Sequence, residues 1–271
     1  MFFPDTMLGG ALLLWFILTG LSLIVLIYDL QTNTPTQWVM KLAWILIVLY
    51  TGPIGLVIFF LSCRQPIAGT HDQFIEAHWK QSVGSMMHCV AGDATGIILA
   101  AIVTFHLGLP NGLDLIIEYV TAFVMGLLIF QALFMKSMMG GNYFQAIKKT
   151  IFSETVSMNM VMVGMIPVMA IMRGTILGGG DPKGPIFWGI SSVATLAGII
   201  TAYPMNSWLV GSGLKHGMMS AVTDATKPMD MSKHKAPDVS FAKKFGVFIL
   251  TVAILAVAVW ITSFFVELKL N

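Results

Sequence analysis

The sequence predicts an all-α protein, a polytopic membrane helical bundle with about seven transmembrane helices. Apolar residues make up 56% of its 271 residues and charged residues only 10%, and the mean hydropathy is +0.83. A soluble domain carries roughly 25% charged residues. The charges here separate apolar runs long enough to cross a hydrocarbon core of about 30 Å, where no water satisfies peptide groups. Each run must therefore make its own backbone hydrogen bonds, as a helix does.

Seven apolar runs follow one another along the chain, at about 7–28, 38–62, 81–106, 114–136, 150–172, 185–210 and 244–266. Turn-forming residues separate them, for example Pro110, Asn111 and Gly112 after the third run. We divide the chain into a two-helix segment with its connector (1–77), a four-helix core (78–219), and a polar linker with a last helix (220–271). The lipid bilayer is the expected partner, and the net charge of +2 does not suggest nucleic-acid binding.

Lys and Arg residues predict the orientation, because cytoplasmic loops carry an excess of them. With seven crossings and a cytoplasmic N-terminus, eleven of the 15 basic residues lie inside and four outside. We therefore expect a multi-pass protein of the cell membrane with its N-terminus cytoplasmic and its C-terminus outside. Cys63 and Cys89 then lie near cytoplasmic ends of spans, where a structural disulfide is not expected.

The third span carries polar residues where apolar ones are expected, namely His88, Cys89 and Asp93. An ionised Asp at mid-membrane costs about 2.5–3.5 kcal/mol on insertion scales, so Asp93 should face the protein interior. At helical spacing Met86, Cys89 and Asp93 share one stripe, and His88 and Thr95 lie on the adjacent stripe. Together these stripes predict one inward-facing polar surface.

Two interpretations of this surface remain open. The first is a site for a cation, a metal or a proton. The second is a helix–helix interface, in which Gly84, Gly92 and Gly96 allow close approach and polar groups bond to neighbouring helices.

A methionine stripe on the fifth span raises the question of copper. Glu154 is followed at helical spacing by five methionines along one face, namely Met158, Met162, Met165, Met169 and Met172. Thioethers and thiolates suit Cu(I), so copper is a candidate cofactor. Methionine also fills irregular cores, which is the interpretation we favour for this stripe.

Catalytic signatures are missing from the sequence. It contains no Walker loop, no Gly-x-Ser-x-Gly elbow, no His-Glu-x-x-His and no dinucleotide fingerprint. Whether the protein is an enzyme therefore stays open.

Several short motifs between about His78 and Met219 carry a resemblance to a known family. They are His88-Cys89-x-x-Gly92 with Gly96, the trio Glu154, Thr155 and Ser157, Phe187-Trp188-Gly189, Pro204-x-Asn206-x-Trp208-Leu209, and His216. In order and spacing the segment resembles a family of bacterial and archaeal multi-pass membrane proteins, known only as a domain of unknown function with a four-helix core. That family often has a second Cys where this chain has Asp93, and an acidic residue near Asn159. The resemblance supports the fold and the choice of residues, and it implies no reaction.

We expect the protein to bind or transport a small cation or a soft metal such as copper through His88, Cys89 and Asp93. The supporting polar candidates are Met86, Thr95, Glu154, Ser157, Asn206 and His216. The alternative is a non-transporting accessory or structural subunit, whose polar positions hold helices together within a membrane complex. In that case the partner is another membrane protein or a second copy of the chain.

Overall fold

The computed structural model describes residues 6–132, 143–215 and 239–270. Within these ranges the chain is helical and has seven helices long and apolar enough to cross a membrane, which confirms the predicted fold class. The helices are α1 (Thr6–Thr32), α2 (Trp38–Ser62), the short connector α3 (His71–Ile75), α4 (His78–Leu107), α5 (Asn111–Val124), α6 (Tyr143–Thr175), α7 (Pro185–Gly211) and α8 (Phe241–Thr262). A π-helix, Met125–Gln131, continues α5.

Helix ends differ from the predicted spans where polar residues extend a helix beyond its apolar run. Helix α6 begins at Tyr143, seven residues before the predicted start at 150, because Lys148 and Lys149 interrupt the apolar run but are compatible with a helix. The fourth span changes from α-helix to π-helix at Met125. The spacing of the hydrophobic residues does not predict this change.

Helix α2 reverses direction at its middle. Gly52 has φ of +56° and ψ of −136°, a backbone conformation that is not helical and that glycine adopts without strain. Residues on either side of the break then pack together: the Trp44 and Phe59 rings have centroids 5.3 Å apart. Each half of α2 is too short to cross the hydrocarbon, since 14 helical residues reach only about 21 Å. Helix α2 is therefore a helical hairpin rather than one straight helix.

Both ends of this hairpin lie at the same end of α1. Lys41, near the start of α2, donates to the carbonyl of Leu30 at 2.6 Å, and Arg64, just after its end, pairs with Asp29 at 2.7 Å. The turn at Gly52 lies against Trp15 and Thr19, deeper along α1. This arrangement buries the irregular backbone at Gly52 inside protein rather than in lipid.

The bundle has two ends, which we name by their basic residues. The Lys215 face is the end where α7 finishes, and the Arg173 face is the end where α6 finishes. Trp15 donates to the Ser192 hydroxyl at 3.2 Å, so the first halves of α1 and α7 lie side by side and both helices begin at the Arg173 face. With α2 folded back, α1 and α8 bring the described ends of the chain to that same face.

Helix α4 forms the centre of the bundle, and glycines bring its neighbours into backbone contact. Most of α4 is buried, whereas α1 and α8 expose most of their side chains. A Cβ on Gly92 would lie 2.8 Å from the Cα of Gly126, and one on Gly96 would lie 2.7 Å from the Cα of Ala122. This close approach of α4 to α5 and the π-helix positions the polar groups described next.

Candidate functional site: a buried polar cluster between α4, α6 and α7

A fully buried ammonium group lies at the centre of the cluster. The Nζ atom of Lys215, which follows the end of α7, donates to Cys89 Sγ at 2.7 Å and to Asn206 Oδ1 at 2.9 Å. It also lies 3.7 Å from Glu154 Oε2, and neither side chain of this ion pair is exposed. Burial by itself lowers the pKa of Lys215, but its interactions with the Cys89 sulfur and the Glu154 carboxylate outweigh burial and raise the pKa above its ordinary value. Lys215 is therefore a charged group inside the protein.

The thiol of Cys89 connects this ammonium to the carboxylate of Glu154. Cys89 Sγ accepts from Lys215 and donates to Glu154 Oε2 at 3.0 Å. Cys89 comes from α4 and Glu154 from α6, so the thiol joins two helices as well as two charges. Hydrogen bonds to the remaining atoms stabilise a buried charge pair, and Glu154 Oε1 has none among the described residues.

Asn206 of α7 is the third partner of Lys215. Its amide nitrogen donates to Ser157 Oγ at 2.9 Å and to the carbonyl of Ala202 at 3.0 Å, which leaves its oxygen facing Lys215. Both side chains are fully buried. The position of Pro204 inside α7 does not interrupt the helix around Asn206, since α7 continues to Gly211.

Asp93 lies beside this cluster, and Gly126 lies next to both Asp93 and Glu154. A Cβ on Gly126 would collide with Asp93 Oδ1 and would lie 2.7 Å from Glu154 Oε1. The two carboxylates therefore approach each other across the bare backbone of Gly126. Asp93 is fully buried, and neither of its oxygens has a hydrogen-bond partner among the described residues. Its charge interacts with those of Glu154 and Lys215.

His88 contacts the π-helix. Its ring meets the Phe130 ring edge-on, with centroids 5.7 Å apart. His88 thus ties α4 to the π-helix on the side of α4 next to Cys89.

The structure brings together five of the residues expected from the sequence, and it separates others from them. Cys89, Asp93, Glu154, Ser157 and Asn206 form the cluster. Thr95 instead shares a hydrogen bond of 2.8 Å with Tyr50 of α2, and Met86 belongs to the hydrophobic core. His216 lies outside the described residues. Four methionines of the α6 stripe are buried in the core, as the packing interpretation has it.

Sequence reasoning missed the central residue. Lys215 follows the apolar run of α7 and precedes a lysine-rich segment, so its position is interpreted from the sequence as that of an ordinary lysine in a cytoplasmic loop. The available signal was its spacing: Asn206 and Lys215 are nine residues apart around a helix end that closes with Gly213 at φ of +64°. That left-handed turn points the chain back toward the bundle, which glycine permits.

A copper ion does not fit this arrangement. Among the described residues, no group of three or more His, Cys, Asp and Glu side chains could hold a metal ion. The Lys215 ammonium already occupies the place beside the thiol where a cation would bind. We therefore derive no copper chemistry from the cluster.

The family model described as a domain of unknown function (DUF4396) matches residues 78–215, which is just over half of the chain and ends at the buried lysine. No curated protein and no solved structure matches the chain.

Proposed function

We propose a function for a chain that belongs to the DUF4396 family: it binds a small monovalent cation, or a proton, in the buried cluster and moves it across the membrane. The observation that carries this proposal is the pair of buried carboxylates, Asp93 and Glu154, beside one buried ammonium, Lys215. Buried ionisable residues inside membrane helices mark ion pathways and proton relays.

The charges of the cluster balance only when one carboxylate is protonated or a cation is bound. With both carboxylates ionised, the ammonium charged and the thiol neutral, the cluster carries one excess negative charge. An uncompensated charge is costly in a low-dielectric interior. One further positive charge, bound between Asp93 and Glu154 across Gly126, would neutralise it.

Lys215 acts in this proposal as a tethered cation. Its Nζ atom contacts a sulfur and an amide oxygen within 3 Å and faces a carboxylate, which is the environment an incoming monovalent cation would need. Movement of the Lys215 side chain would free these acceptors, and its return would expel the bound cation. The position just beyond the end of α7 gives the lysine a short, non-helical segment on which to move.

The orientation we propose follows from the fold of α2. Of the basic residues that the structure describes, three lie at the Arg173 face: Arg173, Lys183 and Lys269. Eight lie at the Lys215 face: Lys41, Arg64, Lys80, Lys148, Lys149, Lys215, Lys243 and Lys244. From the positive-inside rule we infer that the Lys215 face is cytoplasmic and that the described ends of the chain lie outside. This proposal replaces the expectation of a cytoplasmic N-terminus, which counted α2 as a crossing.

The accessory-subunit function remains a second candidate, because one observation favours it. Gly92 and Gly96 of α4 make the close backbone contacts with Gly126 and Ala122 that hold membrane helices together without any transport role. In that case the polar cluster would only fix the packing of α4, α6 and α7.

Ion flux through the purified, reconstituted protein tests the proposal. Liposomes with an internal pH dye or a Na⁺ dye would receive a pH or Na⁺ gradient, and copper(I) binding would be measured separately by competition with bathocuproine disulfonate. We expect flux of at least one monovalent cation above that of empty liposomes and no stoichiometric copper. Absence of flux in every arm would leave the accessory function in its place.

Two cysteine variants separate the thiol's roles. Cys89→Ser should keep flux, because a hydroxyl also donates to Glu154 and accepts from Lys215. Cys63→Ser is the matched control, since Cys63 is also buried but lies at the end of α2, away from the cluster. Stoichiometric copper lost in Cys89→Ser but kept in Cys63→Ser would instead establish a soft-metal site.

A further inference from the structure

A second buried charge cluster lies at the opposite end of the bundle. Arg173 of α6 donates from Nη1 to Glu118 Oε1 at 2.8 Å and lies 3.3 Å from Asp114 Oδ2 through Nη2. Thr104 of α4 donates to Asp114. The three charged side chains are at most 13% exposed, so this cluster is nearly as buried as the cluster around Lys215.

This second cluster lines a cavity. The cavity has a volume of about 340 Å³ and is bounded by Thr104, Asn111, Asp114, Glu118 and Arg173, together with the apolar side chains of Leu115 and Ile166. Asn111 at its edge is exposed. The cavity is therefore large enough for several water molecules and lies at the end of the bundle opposite Lys215.

The two clusters have the same charge composition. Each combines two carboxylates with one basic side chain. That side chain is Arg173, near the end of α6, in one cluster and Lys215, just after the end of α7, in the other. With all groups ionised, each carries one excess negative charge. Each can therefore hold one positive charge in turn, which is what a stepwise path across the bundle requires.

Polar groups occupy the depth between the clusters. Tyr119, next to Glu118 in α5, donates its hydroxyl to Asn159 Oδ1 at 2.9 Å, and Asn159 donates to Thr251 at 3.2 Å. The charge of Asp93 acts on this tyrosine. A hydroxyl can pass a proton along hydrogen bonds, whereas the backbone contact of Gly96 with Ala122 leaves no room for a larger ion between α4 and α5.

We propose that the cavity at the Arg173 face is the entrance of the pathway, that Glu118 is its first proton acceptor, and that the transported cation is the proton. A proton from water in the cavity binds the Glu118 carboxylate and weakens its pairing with Arg173. The proton then leaves Glu118 and is taken up by the carboxylate of Asp93, which restores the Glu118–Arg173 pair. This inference rests on the cation function proposed above. It specifies that the transported cation is the proton and that the proton enters at the Arg173 face.

Two variants test the entrance in liposomes loaded with a pH dye. Glu118→Gln keeps the shape of the side chain but cannot hold a transferable proton, so proton flux should fall at least tenfold. Glu267→Gln is the matched control, because Glu267 lies near the same face but is largely exposed, and its flux should equal that of the wild type.

Chemical blocking tests the same point in folded protein. Asn111→Cys, labelled after reconstitution with a membrane-impermeant trimethylammonium thiosulfonate, should lose proton flux, because the reagent adds a fixed positive charge at the cavity edge. Lys183→Cys, exposed near the same face but outside the cavity lining, should keep its flux after labelling.

The outcomes distinguish the two proposals. If the wild-type protein moves protons but neither Glu118→Gln nor labelled Asn111→Cys reduces the flux, the entrance is wrong and the cluster function stands. If it moves Na⁺ and no protons, the proton inference is overturned alone. If it moves no cation at all, both proposals fail.

Discussion

At the scale of single residues, the most consequential feature is a lysine that sequence patterns assign to a loop. The Lys215 ammonium satisfies a thiol, an amide oxygen and a carboxylate at once, and all four side chains are buried. Removing one partner of a buried ion pair typically costs about 3–5 kcal/mol, because the other charge is left uncompensated. Lys215 should therefore matter to stability as well as to ion movement.

A pair of variants checks this dependence. Lys215→Met should lower the thermal unfolding midpoint in detergent by several degrees, because Glu154 loses its counter-ion. Adding Glu154→Gln should restore part of the midpoint by removing the stranded charge. Lys183→Met, at an exposed position, is the control and should leave the midpoint unchanged. A double variant no more stable than Lys215→Met would show that the two side chains are not energetically coupled.

At the scale of helices, glycines decide how closely the polar groups can meet. Gly126 leaves open the space in which the Asp93 and Glu154 carboxylates approach each other. Gly92 and Gly96 bring α4 into contact with α5 and with the π-helix that contains Gly126. Small residues at such contacts let membrane helices pack closely. The sequence suggested the glycines of α4 as an interface and its polar residues as a site, and in the structure the glycine contacts border the polar cluster.

A glycine substitution tests this packing. Gly96→Ala would place a Cβ 2.7 Å from the Cα of Ala122, so the helices must separate, and we expect destabilisation of about 1–3 kcal/mol. Gly20→Ala in α1 is the matched control, because nothing lies within 4 Å of its added Cβ. Chemical unfolding in mixed micelles would measure both. Equal stabilities of the two variants would contradict the close contact of α4 with α5.

The elements show what the sequence could and could not predict. Hydropathy identified all seven long helices, since apolar length is a property of each segment alone. It could not reveal the reversal in α2, because Gly52 and Pro53 lie in an uninterrupted apolar run and membrane helices tolerate both residues. The polar cluster was predicted in part: the sequence indicated Cys89, Asp93, Glu154, Ser157 and Asn206, which come together. Lys215 was not predicted, because its position depends on a chain reversal at Gly213 that has no periodicity.

At the scale of the whole molecule, the α2 hairpin changes which segments share a side of the membrane. If α2 folds back, the segment before it and the segment after it lie on the same side. If α2 crosses, they lie on opposite sides. The distinction also decides the side of the first helix and therefore the orientation of the polar path.

Single-cysteine labelling in intact cells separates the two topologies. Thr32→Cys and Ala68→Cys, on either side of α2 and exposed, should react with an impermeant maleimide only after permeabilisation. Lys183→Cys, at the Arg173 face, should react without it. The native cysteines are buried and give little background. Labelling of Thr32→Cys but not Ala68→Cys in intact cells would show that α2 crosses the membrane.

The proposed path depends on one carboxylate between its two ends. Asp93 is buried, has no hydrogen-bond partner among the described residues, and faces Glu154 across Gly126. An amide at this position keeps the shape and can still form hydrogen bonds, but it neither titrates nor supplies charge.

Proton and Na⁺ flux through liposomes containing Asp93→Asn is therefore the most direct test of the proposed function. We predict that this variant folds with the thermal midpoint of the wild type or above it, and that its cation flux falls to the level of empty liposomes. Asp72→Asn, at an exposed position in the connector α3, should retain wild-type flux. Wild-type flux in a folded Asp93→Asn protein would contradict the account and leave the cluster a packing element of the bundle.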